Sequence, residues 1–380
     1  MIELLPNPYP IEIIGSGDTP TEDRFAKGNE ETLDRIRTNL RALLEDPNRR
    51  DEWSKFETEL ERLSSRTAKE VADKIGVVSR QYRPDDDSYG LGLISAKRAI
   101  ENARINDPDF TVGKIGFIAF GSSTSNNAYP GGDAFVHQHL ELGPTEGVSL
   151  SNACCSGVKA MVYAYRAMRL DPSIEAALVV TGDVPGSTGT ADEDEDATLW
   201  GDGGASFVLK TNRKGQPGTG IFVPYGRLDA GPYEDKGNKY DMTLSEGQGA
   251  ARCHRGLRLN GSMCGHGHDI YEIVRREIPK HDLAWILANG YVIDCEGDDR
   301  LLPHNGSLKM ITRHGRALGF SEESIFHRIP DRANQSAVSA LSTYAHFSEQ
   351  GKIRPGMRLW FDVFGSNLEW WLVPYQVPYM

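Results

Sequence analysis

Residues 176–181 constrain the fold most, because they form an almost unbroken apolar run of strand length. A strand that is apolar at nearly every position is buried on both faces, which is typical of a sheet covered by helices. A similar strand is predicted at residues 115–120, and a helix at about 157–170 lies just before the run. This alternation predicts an α/β fold with covered parallel sheets.

The same alternation extends along the chain. Further strands are predicted at residues 11–14, 148–151, 205–210, 358–363 and 370–373, with another ending at residue 302. Further helices are predicted near residues 271–278, 308–318 and 337–350. Gly15, Ser16 and Gly17 are predicted to form a turn after the first strand. They give only a partial dinucleotide-binding fingerprint, which argues against a dehydrogenase.

Residues 23–74 differ in composition, because they are charged and favour helix. Leu33, Ile36 and Leu40 recur at helical spacing, and Pro47 interrupts the run. We expect a surface helical insert at about residues 23–65. A solvated cap or a decoration at a dimer interface explains this pattern better than a separate functional domain.

Charge and cysteine content restrict the partners and the compartment. Forty-two Lys and Arg against fifty-four Asp and Glu give a net charge of -12, which argues against nucleic-acid binding by phosphate neutralisation. One anionic ligand held by a local basic cluster remains compatible with that charge. The sequence shows no secretory signal and no long apolar run, and its five cysteines suit a reducing compartment. We therefore expect a cytoplasmic protein without membrane association.

Residues 148–157 are predicted to run from a strand through a sharp turn into a helix, with Cys154 and Cys155 at the turn. A cysteine at the start of a helix faces unpaired backbone N–H groups and the positive end of the helix dipole, which favour the reactive thiolate. The alternative is that both cysteines are small core residues, which is the commoner role of a buried cysteine.

Two more polar residues are predicted at strand-to-helix turns. His304 follows a strand, and Asn334 precedes a helix. Taken alone, the histidine would be interpreted as an ordinary core or surface residue. The asparagine would be interpreted as a helix N-cap. Because the carboxyl-end turns of α/β sheets gather at one edge, the two residues and the cysteines are expected to lie near one another.

These residues belong to five motifs that resemble those of the ketoacyl synthase III family of the thiolase superfamily. Their order and spacing agree from about residue 70 to the end, and only residues 23–65 look like an insertion. The motifs are 153–157 (Ala-Cys-Cys-Ser-Gly), 200–204 (Trp-Gly-Asp-Gly-Gly), 302–306 (Leu-Pro-His-Asn-Gly), 334–337 (Asn-Gln-Ser-Ala) and 364–366 (Phe-Gly-Ser). The resemblance implies a five-layer αβαβα thiolase fold. Its two pseudo-repeated halves would be residues 1–215, with the nucleophile, and 216–380, with the histidine and asparagine.

The resemblance also implies roles for individual residues. Cys155 would be the acylated nucleophile, and His304 and Asn334 would act on the second substrate. Cys154 occupies the position of an alanine and is interpreted as packing. The oxyanion hole would use the backbone N–H groups of Cys155 and Ser366, in the loop that also contains Phe364 and Gly365.

Two surface positions match family residues that contact other chains. Tyr129 corresponds to an aromatic residue that reaches into the acyl pocket of the dimer partner, although a tyrosine in a turn explains it equally well. Lys309 corresponds to a basic residue that contacts the acyl carrier protein, although a solvated helix lysine is the alternative.

The activity implied is transfer of an acyl group to Cys155, followed by decarboxylative Claisen condensation with a malonyl-type thioester. Acyl transfer to oxygen or nitrogen, or condensation without decarboxylation, is the alternative on the same scaffold. A silent partner subunit is a third hypothesis, which the presence of Cys155, His304 and Asn334 disfavours. The substrates would be acyl carrier protein or coenzyme A thioesters, in a homodimer without a cofactor.

Three departures from the family indicate a specialised member, for example one of secondary metabolism. No aromatic residue lies just before residue 76, where the family has a tryptophan that stacks on coenzyme A, which favours a carrier-bound donor. The residues after His304 and the loop after Phe364 also differ from the family pattern.

A cluster of Cys253, His254 and three later residues (Cys264, His266 and His268) has zinc-ligand chemistry, but its spacing matches no standard zinc finger, so no metal is expected.

Overall fold

The computed structural model describes residues 8–127, 129–187, 195–228, 273–294, 296–366 and 368–379. It describes the backbone alone for residues 195 and 196 and for four short strands between residues 233 and 259. Its helices include, in chain order, α1 Asn29–Glu45, α2 Trp53–Ser64, α3 Ala68–Ile75, α4 Ser88–Asn106, α5 Gly132–His139, α6 Ser156–Leu170, α7 Ile278–Ala288, α8 Leu308–Leu318, α9 Ile329–Arg332 and α10 Ser339–Glu349.

The strands of the structure include, in chain order, β1 Ile11–Asp18, β2 Ala26–Gly28, β3 Ser79–Gln81, β4 Ile115–Gly121, β5 Glu146–Leu150, β6 Ala176–Asp183, β7 Gly203–Thr211, β8 Gly220–Ile221, β9 Tyr225–Leu228, β10 Tyr233–Asp235, β11 Asn238–Tyr240, β12 Ala251–His254, β13 Leu257–Leu259, β14 Asp299–Pro303, β15 Arg358–Phe364 and β16 Glu369–Gln376.

Two five-stranded sheets form the framework. The first has the order β1-β7-β6-β4-β5, and the second has the order β14-β15-β16-β8, with β9 also paired to β16. In the first sheet β4 is parallel to β5 and β6, but β7 is antiparallel to both β1 and β6. In the second sheet β14 and β15 are parallel, and β16 is antiparallel to its neighbours. The sheets are therefore mixed, since the predicted parallel pairing is limited to β4 with β5 and β6 and to β14 with β15.

The two sheets enclose a helical layer. Buried residues of α6 and α10 form one apolar core with residues of β6 and β7 on one side and of β15 and β16 on the other. Helices α4 and α5 cover the outer face of the first sheet, and α7 and α8 cover the outer face of the second. The result is the five-layer αβαβα arrangement of the thiolase fold. The boundary at residue 215 and the pseudo-repeat stay predictions.

The predicted turn at Gly15–Gly17 does not form, because β1 continues through it to Asp18. A Cβ atom added to Gly15 would lie 2.3 Å from the carbonyl oxygen of Ala99, and one added to Gly17 would lie 2.3 Å from that of Ser95. Both contacts are on α4. These glycines therefore allow β1 to approach α4 closely, a requirement of tertiary packing that local sequence does not express.

The helical insert has a small core of its own. Leu33, Ile36 and Leu40 of α1 pack with buried residues of α2 and α3, and with Ala197 outside the insert. Arg80 is buried and donates hydrogen bonds to Asn29 Oδ1, at 2.5 Å, and to the carbonyl oxygen of Thr198, at 2.7 Å. Burial lowers the pKa of Arg80 to about 9. The insert is therefore anchored next to the turn at residues 200–204.

Helix α8 matches its predicted bounds because both ends carry local signals. The hydroxyl oxygen of Ser307 accepts a hydrogen bond from the N–H of Met310, and Gly319 ends the helix with a φ of 99°. Among the described residues, no helix has both the length and the apolar character needed to cross a bilayer.

Candidate active site

Cys155 lies at the start of α6, after a sharp reversal of the backbone. Strand β5 ends at Leu150, and Ala153 adopts a φ of 48°, a left-handed conformation that alanine rarely takes. Cys155 is the N-cap of α6 and is completely buried. The strand, turn and helix predicted from the sequence are therefore present, and the strain lies two residues before the second thiol.

The thiol of Cys155 is held in the protonated form. Its Sγ donates a hydrogen bond to the carbonyl oxygen of Glu369, at 2.9 Å. Burial raises the pKa of Cys155 well above its usual value, the neighbouring Cys154 and Glu369 raise it further, and Lys159 lowers it. The helix start was expected to lower this pKa, but burial raises it instead, because loss of hydration outweighs the field at the helix start. The proton has to leave during the reaction.

Cys154 faces a different part of the site. The hydroxyl of Ser336 lies 3.5 Å from its Sγ, and burial raises the pKa of this thiol to about 11. Cys154 thus contacts the segment that carries Asn334, whereas Cys155 contacts the first residue of β16. The interpretation of Cys154 as packing stays a prediction.

His304 follows β14 directly. Its backbone N–H donates to the carbonyl oxygen of Asp362, at 2.9 Å, and its ring packs edge-on against Phe364 at a centroid distance of 5.1 Å. Burial lowers the pKa of His304 to about 4, although a hydrogen bond with the backbone of Ser336 acts in the opposite direction. His304 is therefore a neutral imidazole at physiological pH.

Asn334 is fixed on both its backbone and its side chain. Its N–H donates to the carbonyl oxygen of Leu199, at 2.9 Å, and its own carbonyl oxygen accepts from Gly201, at 3.0 Å. Its Oδ1 accepts a hydrogen bond from the N–H of Ser336, at 2.8 Å. Because this bond occupies the amide oxygen, the amide nitrogen is the end that can donate to a substrate.

Asp202, in the turn at residues 200–204, explains why that motif accompanies Asn334. Its buried carboxylate accepts hydrogen bonds from the N–H groups of Gly186, Ser187 and Arg83, and burial raises its pKa to about 6. Its carbonyl oxygen accepts from Nε2 of Gln335, at 3.1 Å. The turn therefore positions the residue next to Asn334.

Asp183 is a buried organising residue that the sequence interpretation missed. Its carboxylate accepts hydrogen bonds from Ser122 Oγ, at 2.8 Å, and from the N–H of Ala337, at 2.9 Å, among others. It thus joins the carboxyl end of β4 to the segment that carries Asn334. The signal that could have identified Asp183 is its position at the end of β6, a strand that is buried throughout. An unpaired charge there would be costly, so the carboxylate needs hydrogen-bond donors.

The loop between β15 and β16 borders the nucleophile. The N–H of Gly365 donates to the carbonyl oxygen of Glu369, at 2.9 Å, and Leu368 donates back to Gly365, at 3.0 Å. Neither bond uses the N–H of Ser366. The N–H of Cys155 donates to Asn152, at 3.2 Å, so this bond has to open before Cys155 can serve an oxyanion hole.

The remaining predicted residues lie away from this centre. Tyr129 is on the surface and 87% exposed, and Lys309 is exposed in the first turn of α8. The side chains of the possible zinc cluster at residues 253–268 lie outside the described residues.

A second group of titratable residues lies behind His304, formed by Asp282, His314 and Asp362. These side chains are all buried, and their ligand-type atoms lie within 4.8 Å of one another. His314 Nε2 is 2.5 Å from Asp362 Oδ2, and its Nδ1 is 3.1 Å from the carbonyl oxygen of Val274. Because both ring nitrogens face acceptors, His314 is an imidazolium and offers no lone pair to a metal. The group is therefore an ion pair.

The electrostatics of this group agree with an ion pair. Burial opposes the charge on His314, but the Asp362 carboxylate more than compensates and the pKa of His314 rises to about 9. Burial, reinforced by Asp362, raises the pKa of Asp282 well above its usual value, and the ion pair lies between His314 and Asp362.

Comparison with known proteins finds relatives of this chain. Residues 295–375, which contain His304 and Asn334, match the C-terminal family of 3-oxoacyl-[acyl-carrier-protein] synthase III. A beta-ketoacyl-[acyl-carrier-protein] synthase III of Haemophilus influenzae is 24% identical over 315 residues, 82% of this chain and 92% of that protein. The synthase of Pectobacterium atrosepticum is 23% identical over 318 residues, with the same coverage of both chains.

Solved structures resemble the fold over nearly the whole chain. The 3-oxoacyl-[acyl-carrier-protein] synthase III of Aquifex aeolicus superposes with a TM-score of 0.71 at 15% identity, covering 96% of this chain and 99% of that one. Cerulenin-bound OleA of Xanthomonas campestris gives a TM-score of 0.71 at 16% identity, covering 99% and 98%.

The fold and the matching sequences define a condensing enzyme of the thiolase superfamily, in the acyltransferase class. Within that superfamily the chain is a ketoacyl synthase III-like protein.

Proposed function

We propose that the protein forms an acyl thioester on Cys155 and condenses it with a malonyl-type thioester. The supporting observation is that three sequence-distant motifs meet at Ser336. The N–H of Ser336 binds the side chain of Asn334, its backbone interacts with His304, and its hydroxyl contacts Cys154. The nucleophile turn, the histidine and the asparagine therefore share one buried centre.

In the first step, the thiol sulfur attacks the carbonyl carbon of an acyl thioester. The S–H bond breaks, the new bond between Cys155 and the acyl group forms, and the donor leaves as a thiol that carries the proton. Neutral His304 can relay this proton, because its free lone pair is available at physiological pH. The N–H groups of Cys155 and Ser366 stabilise the negative oxygen of the tetrahedral intermediate.

In the second step, the bond between the malonyl carbon and its carboxylate breaks and carbon dioxide leaves. The electron pair forms an enolate, whose oxygen receives hydrogen bonds from His304 and from the amide nitrogen of Asn334. The enolate carbon attacks the acyl carbonyl carbon, and Cys155 leaves as a thiolate that takes up one proton from water. The residues need no cofactor beyond the thioester substrates.

Two contacts with other chains complete the proposal. Lys309 would receive an acidic acyl carrier protein, because it is an exposed cation at the start of the helix that follows His304. Tyr129 would reach across a homodimer interface, which explains why so large an aromatic side chain is 87% exposed in the single chain.

Intact-protein mass spectrometry with a panel of acyl coenzyme A and acyl-carrier thioesters tests the proposal. A mass increase equal to the acyl group is expected in the wild type and in Cys154→Ala, but not in Cys155→Ala. Addition of malonyl thioester should then discharge the enzyme and release one carbon dioxide per product. An adduct that persists in Cys155→Ala contradicts the nucleophile assignment, and product without carbon dioxide favours transfer without decarboxylation.

A further inference from the structure

Lys159 and Glu369 form a buried ion pair next to Cys155 that the mechanism above does not use. Lys159 lies one turn after Cys155 on α6, and Glu369 opens β16. Lys159 Nζ is 2.8 Å from Oε1 and 3.1 Å from Oε2 of Glu369. Their side chains are only 15% and 5% exposed.

The carboxylate of Glu369 is further held by two neutral donors. Asn152 Nδ2 donates to Oε2, at 3.1 Å, and Trp371 Nε1 donates to Oε1, at 2.8 Å. Asn152 is in the nucleophile turn and Trp371 is in β16. A buried ion pair often stabilises a fold less than apolar side chains of similar volume would, because both charges lose their hydration. Stability alone therefore does not explain this pair.

The backbone of Glu369 connects the pair to the reacting groups. Its carbonyl oxygen accepts the hydrogen bond of the Cys155 thiol, at 2.9 Å, and also that of the Gly365 N–H, at 2.9 Å. Glu369 therefore joins the nucleophile to the loop that contains Ser366. The ion pair and the acceptor of the thiol proton thus belong to the same residue.

We propose that Lys159 and Glu369 are a positioning pair, in which the carboxylate fixes the acceptor of the Cys155 thiol and the ammonium balances the carboxylate when the thiolate forms. This role rests on the proposed function of Cys155. The charged or titratable groups that act on this thiol are Cys154, Glu369, Lys159 and Asp362. Of these, only Lys159 favours the thiolate.

The proposal makes the two partners act in opposite directions. Lys159→Met leaves the carboxylate unbalanced beside the thiol and disfavours the thiolate. Glu369→Gln leaves the ammonium unbalanced and favours the thiolate. A pair that merely held the fold together would make both substitutions act in the same direction, since each would loosen the same contacts.

Alkylation of Cys155 by iodoacetamide measures this difference. The parent is Cys154→Ala, and the rate is followed by intact mass between pH 6 and 10, with peptide mapping to Cys155. Thiolate absorbance gives the same titration, and it does not depend on whether a reagent can reach the buried sulfur. It is taken as the difference between the absorbance of each variant and that of Cys154→Ala/Cys155→Ala. At pH 7, Lys159→Met should react about tenfold more slowly than the parent and Glu369→Gln about tenfold faster, with the double variant close to the parent.

The exposed pair Lys69 and Asp73 on α3 provides control variants, because it also joins a lysine to a carboxylate but its side chains are 83% and 63% exposed. Lys69→Met and Asp73→Asn should leave the titration unchanged. Equal shifts in the same direction for both site variants, or no shift in either, would overturn the proposal. The outcome is separable from that of the proposed function, because alkylation reports the thiol even if no acyl donor is accepted.

Discussion

The backbone N–H of His304 donates a hydrogen bond to the carbonyl oxygen of Asp362, and the carboxylate of that same Asp362 holds the buried His314. His304 is therefore positioned by a strand residue whose side chain belongs to an ion pair. Both imidazoles also pack near the ring of Phe364, His304 at 5.1 Å and His314 at 6.1 Å between centroids. Two histidines with opposite protonation thus lie in one small region.

The first prediction concerns His314 and stability. Its pKa is about 9 in the folded protein and near 6.5 in the unfolded chain, so the folded state binds the extra proton between these values. Its contribution is complete below about pH 6.5 and is lost as the pH rises through 9. The free energy of unfolding should fall by roughly 3 kcal/mol more in the wild type than in His314→Gln over this window. Urea unfolding at several pH values measures this, and parallel profiles would contradict it.

The second prediction concerns His304 and activity. Because its pKa is lowered to about 4, the active neutral form is present above that value and is lost only in more acid solution. In the wild type, a plot of log kcat/KM for condensation against pH should therefore show no fall centred near pH 6.5 that is due to His304. His304→Gln should lower kcat for condensation by about 10²–10³ at pH 7, since one donor to the enolate is removed. An acid limb near pH 6.5 that depends on His304 would show that the ring is charged.

The third prediction concerns Lys309 and the carrier. Lys309→Glu should raise KM for an acyl carrier protein substrate severalfold and leave KM for the matching coenzyme A thioester unchanged, because only the carrier offers an acidic surface. Lys97→Glu is the control. Lys97 is also exposed, but it lies on α4, the helix that covers the outer face of the first sheet. A loss that affects both substrates equally would indicate damage to the site instead of the docking surface.

Local signals explain which parts of the fold the sequence predicts well. Helix α8 was predicted with its observed bounds because Ser307 and Gly319 mark its ends. Strand β6 was predicted at residues 176–181 because nearly all of them are apolar, and the structure extends it to Asp183. The turn at Gly15–Gly17 was mispredicted because the reason for those glycines is their contact with α4, which lies some 80 residues away in the chain.

The candidate site shows the same limit. Cys155, His304 and Asn334 carry motif signals, but Glu369 carries none, because its partner Lys159 is 210 residues away. The resting state of the Cys155 thiol was also beyond the sequence. Helix position predicts a thiolate, and only the complete burial of the sulfur reverses that expectation.

The last prediction concerns the contact between the nucleophile helix and the Asn334 segment. A Cβ atom on Gly157 would lie 2.2 Å from the carbonyl oxygen of Ala337, so Gly157→Ala has to push α6 and that segment apart. We expect a loss of about 1–3 kcal/mol in stability and at least a tenfold fall in kcat, because Cys155 and Asn334 lie on the two separated elements.

Gly113→Ala is the matched control for this contact, because a Cβ atom there meets nothing within 4 Å. Urea unfolding and steady-state kinetics should show no change in it. A Gly157→Ala enzyme with wild-type kcat would mean that the site tolerates separation of α6 from the Asn334 segment. Cys155 and Asn334 would then act without the close packing that the structure gives them.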